Sequence, residues 1–155
     1  MGIDLNEESY LCLGNICRSP MAEMMMKQLV TKSGLTGQIQ VESRSTSTYE
    51  IGNSPHPGAI RELQKENITI VDHSAQQISQ ADFQEADLII GMDHQNIIDL
   101  KRMAPLGMQS KIRLAYEIIG KDEEVQDPWY DHKFNRTYRQ LSELLPLWLD
   151  ELRKA

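Results

Sequence analysis

At 155 residues, with no internal repeat and no Gly/Ser-rich linker, the chain fits a single domain over residues 1–155 that can bury a core without disulfide staples. A net charge of −7 argues against a nucleic-acid or membrane-surface binder, because phosphate-backbone affinity is built from accumulated Lys and Arg. No apolar run approaches the roughly 20 residues needed to span a bilayer, and the acidic N-terminus lacks the basic-then-apolar order of a secretory signal, so a cytoplasmic location is expected.

In chain order, a short strand ending in Tyr10-Leu11-Cys12 runs into Gly14-Asn15, and Ser19-Pro20 opens a helix to about Lys32, with Gly34 as its stop. Met21, Met25 and Leu29 recur four apart, and Ala22, Met26 and Val30 widen the stripe, so the methionines read as core rather than as ligands. Residues 39–43 read as a second strand, and the Gly/Pro/Ser-rich stretch 52–58 as a loop feeding a helix through Asn67. Residues 86–92 form an apolar run of the kind covered on both faces. A helix over 93–103, a strand near 112–115, a loop over 120–132 and a helix to Arg153 follow, with Pro146 expected to kink or break the last. Strands alternating with helices imply an α/β fold, a small doubly wound parallel sheet whose ligands sit beyond the carboxyl ends of its strands. Cys12 stands at such an end.

The chemistry concentrates in Cys12-Leu13-Gly14-Asn15-Ile16-Cys17-Arg18-Ser19-Pro20, set between a strand and a helix. A helix N-terminus and inward-turned loop N–H groups stabilise a thiolate, and the same amides from Leu13 to Ser19 receive a phosphate or another oxyanion. Gly14 and Asn15 tolerate the left-handed backbone that a tight curl requires. Five intervening residues put Arg18 on the same concavity as Cys12, where its planar fork can hold two phosphate oxygens into the transition state. Ser19 can hydrogen-bond the sulfur. Asp127-Pro128-Trp129-Tyr130 supplies the partner: a carboxyl group to protonate a departing phenolate, with two aromatics as walls for a flat ring. A phosphate-binding module without turnover would need neither the thiolate nor the acid.

These stretches resemble the low-molecular-weight protein tyrosine phosphatases over nearly the whole chain. The likeness runs through Cys12 to Glu23, Tyr49 with Gly52, residues 72–75, Asp87 to Asp93 with Asn96, and Asp127 to Tyr130. It implies a three-layer fold with a four-stranded parallel sheet flanked by helices, no metal and no cofactor, and a phosphotyrosine-containing protein as substrate. By the same resemblance Cys12 is the nucleophile, Arg18 the phosphate clamp and Asp127 the general acid and base, and Tyr49, Trp129 and Tyr130 line the cleft. It further implies that Asn15, Ser19, Ser43 and His73 support the loop, and that Cys17 can bond to Cys12 on oxidation. The chain departs from the family's usual pattern at the polar Glu7-Glu8-Ser9 before Tyr10-Leu11, at Glu42-Ser43-Arg44-Ser45-Thr46 after the second strand, and at Gln76. An arsenate reductase on this scaffold would need cysteines beyond Cys17, and none exists. A phosphoarginine phosphatase is the nearer rival, although members with that preference carry threonine where Ile16 stands. His56, His94 and His132 lack metal-ligand spacing and are expected to face solvent, as is the run Asp122-Glu123-Glu124.

Overall fold

The computed structural model describes residues 9–14, 19–46, 52, 55–71, 75–128 and 131–154; the side chains of residues 9–12, 19 and 154 lie outside that description. The elements are β1 (Ser9–Gly14), α1 (Ser19–Lys32), β2 (Ile39–Arg44), α2 (Pro57–Lys65), α3 (Gln80–Glu85), β3 (Leu88–Gly91), α4 (His94–Met103), β4 (Ile112–Leu114) and α5 (Phe134–Lys154). Short 3-10 turns occupy Gln109–Lys111 and Ala115–Ile119. The fold is α/β with a parallel sheet, as the alternating pattern implies. Its strands lie in the order β2-β1-β3-β4, and every pair is parallel.

Side-chain alternation along β3 divides the core between two faces. Leu88 and Ile90 pack with Met21, Met26, Leu141 and Trp148, a layer made by α1 and α5. Ile89 points the other way, into a smaller cluster with Phe83, Leu100 and Ile112 built by α3 and α4. Met21, Met24, Met25 and Met26 are all buried, which confirms the methionine stripe as core. On the larger face, Trp148 Nε1 donates to the Ala115 carbonyl at 2.8 Å, so the one polar atom of a fully buried ring is satisfied.

Four details differ from the sequence expectation. Gly58 is not in the loop but in the first turn of α2, where a Cβ would stand 2.3 Å from the Phe134 ring, so the close approach of α2 to α5 requires glycine. The helix α3 was not foreseen; six residues with the apolar Phe83 as their main anchor are too short for a helical period to emerge. The β3 strand is limited to Leu88–Gly91. Pro146 leaves α5 helical through Lys154, with its ring on the exposed side.

Candidate active site

Between the end of β1 at Gly14 and the start of α1 at Ser19 the chain has only residues 15–18 to turn from strand to helix. Cys12 lies in β1 between its Cα partners Glu42 on β2 and Ile89 on β3; Leu13, fully buried, pairs with Ser43 and Ile90. The order β2-β1-β3-β4 makes the boundary between β1 and β3 the switch point, the place where doubly wound sheets bind ligands beyond the carboxyl ends of their strands. Asn15, Ile16, Cys17, Arg18, Tyr49, His73, Trp129 and Tyr130 lie outside the described residues, as do the side chains of Cys12 and Ser19.

Ser43 is 2 % exposed, and both its N–H and its hydroxyl donate to Oε1 of Glu23, each at 2.8 Å. Glu23 is itself 2 % exposed on α1, and its Oε2 accepts from Lys27 Nζ at 3.1 Å. One carboxylate thus ties the first turns of α1 to the end of β2 and fixes where the helix begins relative to the sheet. Sequence reading quoted Glu23 but gave it no role. The available signal was a carboxylate set among Ala22, Met26 and Val30 on the apolar face, because a charge there requires a built partner.

Other segments converge on the same edge. Ser45 continues β2 into a bridge with Gln77, through Ser45 N–H to the Gln76 carbonyl at 2.7 Å and Ile78 N–H to the Ser45 carbonyl at 2.8 Å. Gly52 N–H donates to Ala75 O at 2.8 Å. The Arg44 side chain, at the position where the chain departs from its family's pattern, pairs with Asp82 at 3.3 Å and so links β2 to α3. At the turn from β3 to α4, Asp93 caps Asn96 N–H at 2.7 Å while Asn96 Oδ1 accepts from Met92 and Asp93 N–H at 3.1 and 3.3 Å, a reciprocal box that holds the turn. Gly91 fits there because a Cβ would meet Ile97 Cδ1 at 2.7 Å.

Asp127 closes an irregular segment over residues 121–127 and is partly buried. Just before it, Val125 N–H donates to the Met92 carbonyl at 2.9 Å, anchoring the segment to the end of β3. Gln126 is held by α5: its N–H donates to Gln140 Oε1 at 2.9 Å and its carbonyl accepts from Thr137 Oγ1 at 3.1 Å. Beyond it, Pro128 O accepts from His132 N–H at 2.9 Å. The Asp131 carboxylate accepts from Lys133 N–H at 3.0 Å and pairs with Arg136 at 2.9 Å; these partners hold it below the usual carboxylate range.

The histidines and the acidic run have partners beyond solvent. His56 caps α2, its Nδ1 accepting from Gly58 N–H at 2.9 Å, and its ring stacks obliquely near Phe134, with centroids 5.0 Å apart. His94 and the acidic run face solvent as expected, and His94 is in addition flanked on both ring nitrogens by Asp122 and Glu124.

The sequence of this chain matches the family model described as low molecular weight phosphotyrosine protein phosphatase over residues 9–155. The chain belongs to the low molecular weight phosphotyrosine protein phosphatase family. It is 39% identical over 127 residues to the Bacillus subtilis low molecular weight protein-tyrosine-phosphatase YfkJ, covering 81% of each chain. The Gallus gallus low molecular weight phosphotyrosine protein phosphatase is 38% identical over 138 residues, covering 84% of this chain and 85% of that protein. Among solved structures, that of YfkJ superposes with a TM-score of 0.88 at 33% identity over 96% of both chains. The Streptococcus pyogenes low molecular weight protein tyrosine phosphatase gives 0.79 at 38% identity over 95% and 93%. Membership in this phosphatase family makes the chain a hydrolase.

Proposed function

We propose that this chain hydrolyses phosphotyrosine in proteins through a phosphocysteine intermediate. The observation that carries the reading is the position of the Cys12-to-Arg18 segment, which leaves the carboxyl end of a central parallel strand and enters the N-terminus of α1. In this reading the Cys12 thiolate attacks phosphorus and the bond from phosphorus to the aryl oxygen breaks. Arg18 and the amides of residues 13–19 hold the equatorial oxygens, and Asp127 gives its proton to the phenolate. Water then attacks the phosphocysteine, returns a proton to Asp127, and releases phosphate with the thiolate restored.

Supporting this assignment, Val125, two residues before Asp127, is tethered to Met92 just beyond β3, the strand next to the one that bears Cys12. Tyr49, Trp129 and Tyr130 would wall the ring of the substrate. Asn15, Ser19, Ser43 and His73 would steady the loop, with Glu23 added to that set through Ser43. The enzyme acts as a single domain in the cytoplasm, binds neither nucleic acid nor membrane, and requires no metal. Among the described residues no helix is long and apolar enough to cross a membrane.

The test is hydrolysis of a chromogenic aryl phosphate with excess chelator present, comparing the parent with Cys12→Ser and Asp127→Ala. Near-total loss is expected in the first and a large fall in kcat in the second. Full turnover in Cys12→Ser would remove it as nucleophile, and inhibition by chelator would point to a metal. Preference for phosphoarginine over phosphotyrosine peptides would reassign the substrate.

A further inference from the structure

His94 opens α4, and its surroundings come from a different element, the segment 121–124 that leads to Asp127. Its Nε2 lies 2.6 Å from Asp122 Oδ1, its Nδ1 lies 2.9 Å from Glu124 Oε2, and its backbone N–H donates to that same Glu124 oxygen at 2.9 Å. A carboxylate only accepts hydrogen bonds, so both ring nitrogens can be satisfied together only when both carry hydrogen. The geometry is therefore that of an imidazolium clamped between two anions. A neutral ring keeps one of the two bonds and turns a lone pair toward the other carboxylate.

The charged groups facing the ring are Asp122 and Glu124. On α4 itself, Asp93 is occupied in capping Asn96, and Asp99 takes Arg102 at 3.1 Å and Gln95 at 3.0 Å. The partly positive N-terminus of α4 disfavours a cation at His94, and the two carboxylates oppose that effect from closer range. The ring accordingly holds its proton above the ordinary imidazole range, first through the bond to Asp122 and then through the bond to Glu124.

We propose that His94 is a proton-gated positioning residue for the reaction: as imidazolium it staples the 121–124 segment to α4 and so fixes the approach of Asp127. This rests on the reading of Asp127 as proton donor. The link is short, because Glu124 is followed by Val125, whose N–H is bound to Met92, and Asp127 comes two residues later. With the proton lost, one of the two carboxylates loses its ring bond. The segment entering the donor then loses one of its side-chain holds, and catalysis of leaving-group departure falls with it.

The test measures kcat from about pH 5 to about pH 8.5 for the parent, His94→Asn and His94→Arg, using phenyl phosphate, whose leaving group needs protonation, and para-nitrophenyl phosphate, whose leaving group needs it less. On phenyl phosphate the parent should exceed His94→Asn by about fivefold on the acid side, and the ratio should fall toward one on the alkaline side. The para-nitrophenyl ester should show a smaller gap. His94→Arg, with a permanent fork that can reach both carboxylates, should keep the acid-side rate across the range. A parent-to-Asn ratio that is flat with pH, or an Arg variant that behaves like Asn, would overturn the proposal. Asp127→Ala run in parallel separates the two readings: if it loses nothing on phenyl phosphate, the donor assignment is what fails. An NMR titration of the His94 ring, independent of activity, should give a midpoint above that of free imidazole side chains that drops in Asp122→Asn. An ordinary midpoint in the parent would sink the clamp whatever the kinetics.

Discussion

Replacing Glu23 by alanine should be among the most damaging single changes outside the reacting groups, and its cost can be worked from the geometry. Oε1 accepts two bonds from Ser43 at 2.8 Å and Oε2 one from Lys27 at 3.1 Å, on a residue 2 % exposed. Hydrogen bonds to a charged partner contribute about 1.5–3 kcal/mol each, and a buried N–H left without an acceptor costs about 1–3 kcal/mol. The Lys27 bond is half exposed and adds little. Glu23→Ala should therefore lose about 3–5 kcal/mol, a large part of the roughly 5–15 kcal/mol that such a domain has. Glu23→Gln keeps one acceptor for Ser43 and should lose about half as much. In urea, with a slope of about 2 kcal/mol per molar, the alanine midpoint should fall by about 1.5–2.5 M. Ser43→Ala removes only the hydroxyl, so a double-mutant cycle between positions 23 and 43 should give a coupling of about 1–2 kcal/mol. A midpoint unchanged within error, or zero coupling, would mean that this carboxylate does not bracket α1 to β2.

Gly58→Ala should destabilise by about 1–3 kcal/mol in thermal unfolding, because the clash with Phe134 at 2.3 Å outweighs the usual helix gain of alanine over glycine. Trp148→Phe keeps most of the ring volume but orphans the Ala115 carbonyl, and should lower Tm by about 3–8 °C for a loss of about 1–3 kcal/mol. Asp127→Ala should lower kcat by about 10²–10⁴ with little change in KM, read in steady-state kinetics on phenyl phosphate. His94 is raised in the folded state, so the stability difference between parent and His94→Asn should be full below the ordinary imidazole value near 6.5 and vanish as pH rises through the raised one, as followed by urea midpoints across pH.

The alternation of strand and helix was legible because each long element carries its own period: the methionine stripe of α1 and the apolar run of β3 declare themselves locally. The Cys12-to-Arg18 segment stands out in sequence for a different reason, since its residue types and spacing suit a chemistry that core packing does not require, and residues 15–18 of it lie outside the described residues. What escaped notice depends on residues far apart in sequence. Glu23 meets Ser43 across 20 positions and His94 meets Asp122 across 28, and no period links such pairs. Gly58 looked like loop punctuation because its true reason, the Phe134 ring, lies in another helix. Arg44 read as a departure from pattern, yet Asp82 is there to meet it.

The tether of Gln126 to Thr137 and Gln140 has a consequence for biosynthesis. A nascent chain that has emerged only through β4 has all four strands in sequence, but neither Asp127 nor the helix that anchors the backbone beside it. Such a chain also lacks Leu141, Leu144, Leu145 and Trp148, which pack against α1 in the larger core layer. Premature termination within α5 should accordingly yield a chain that does not fold, rather than a slow enzyme.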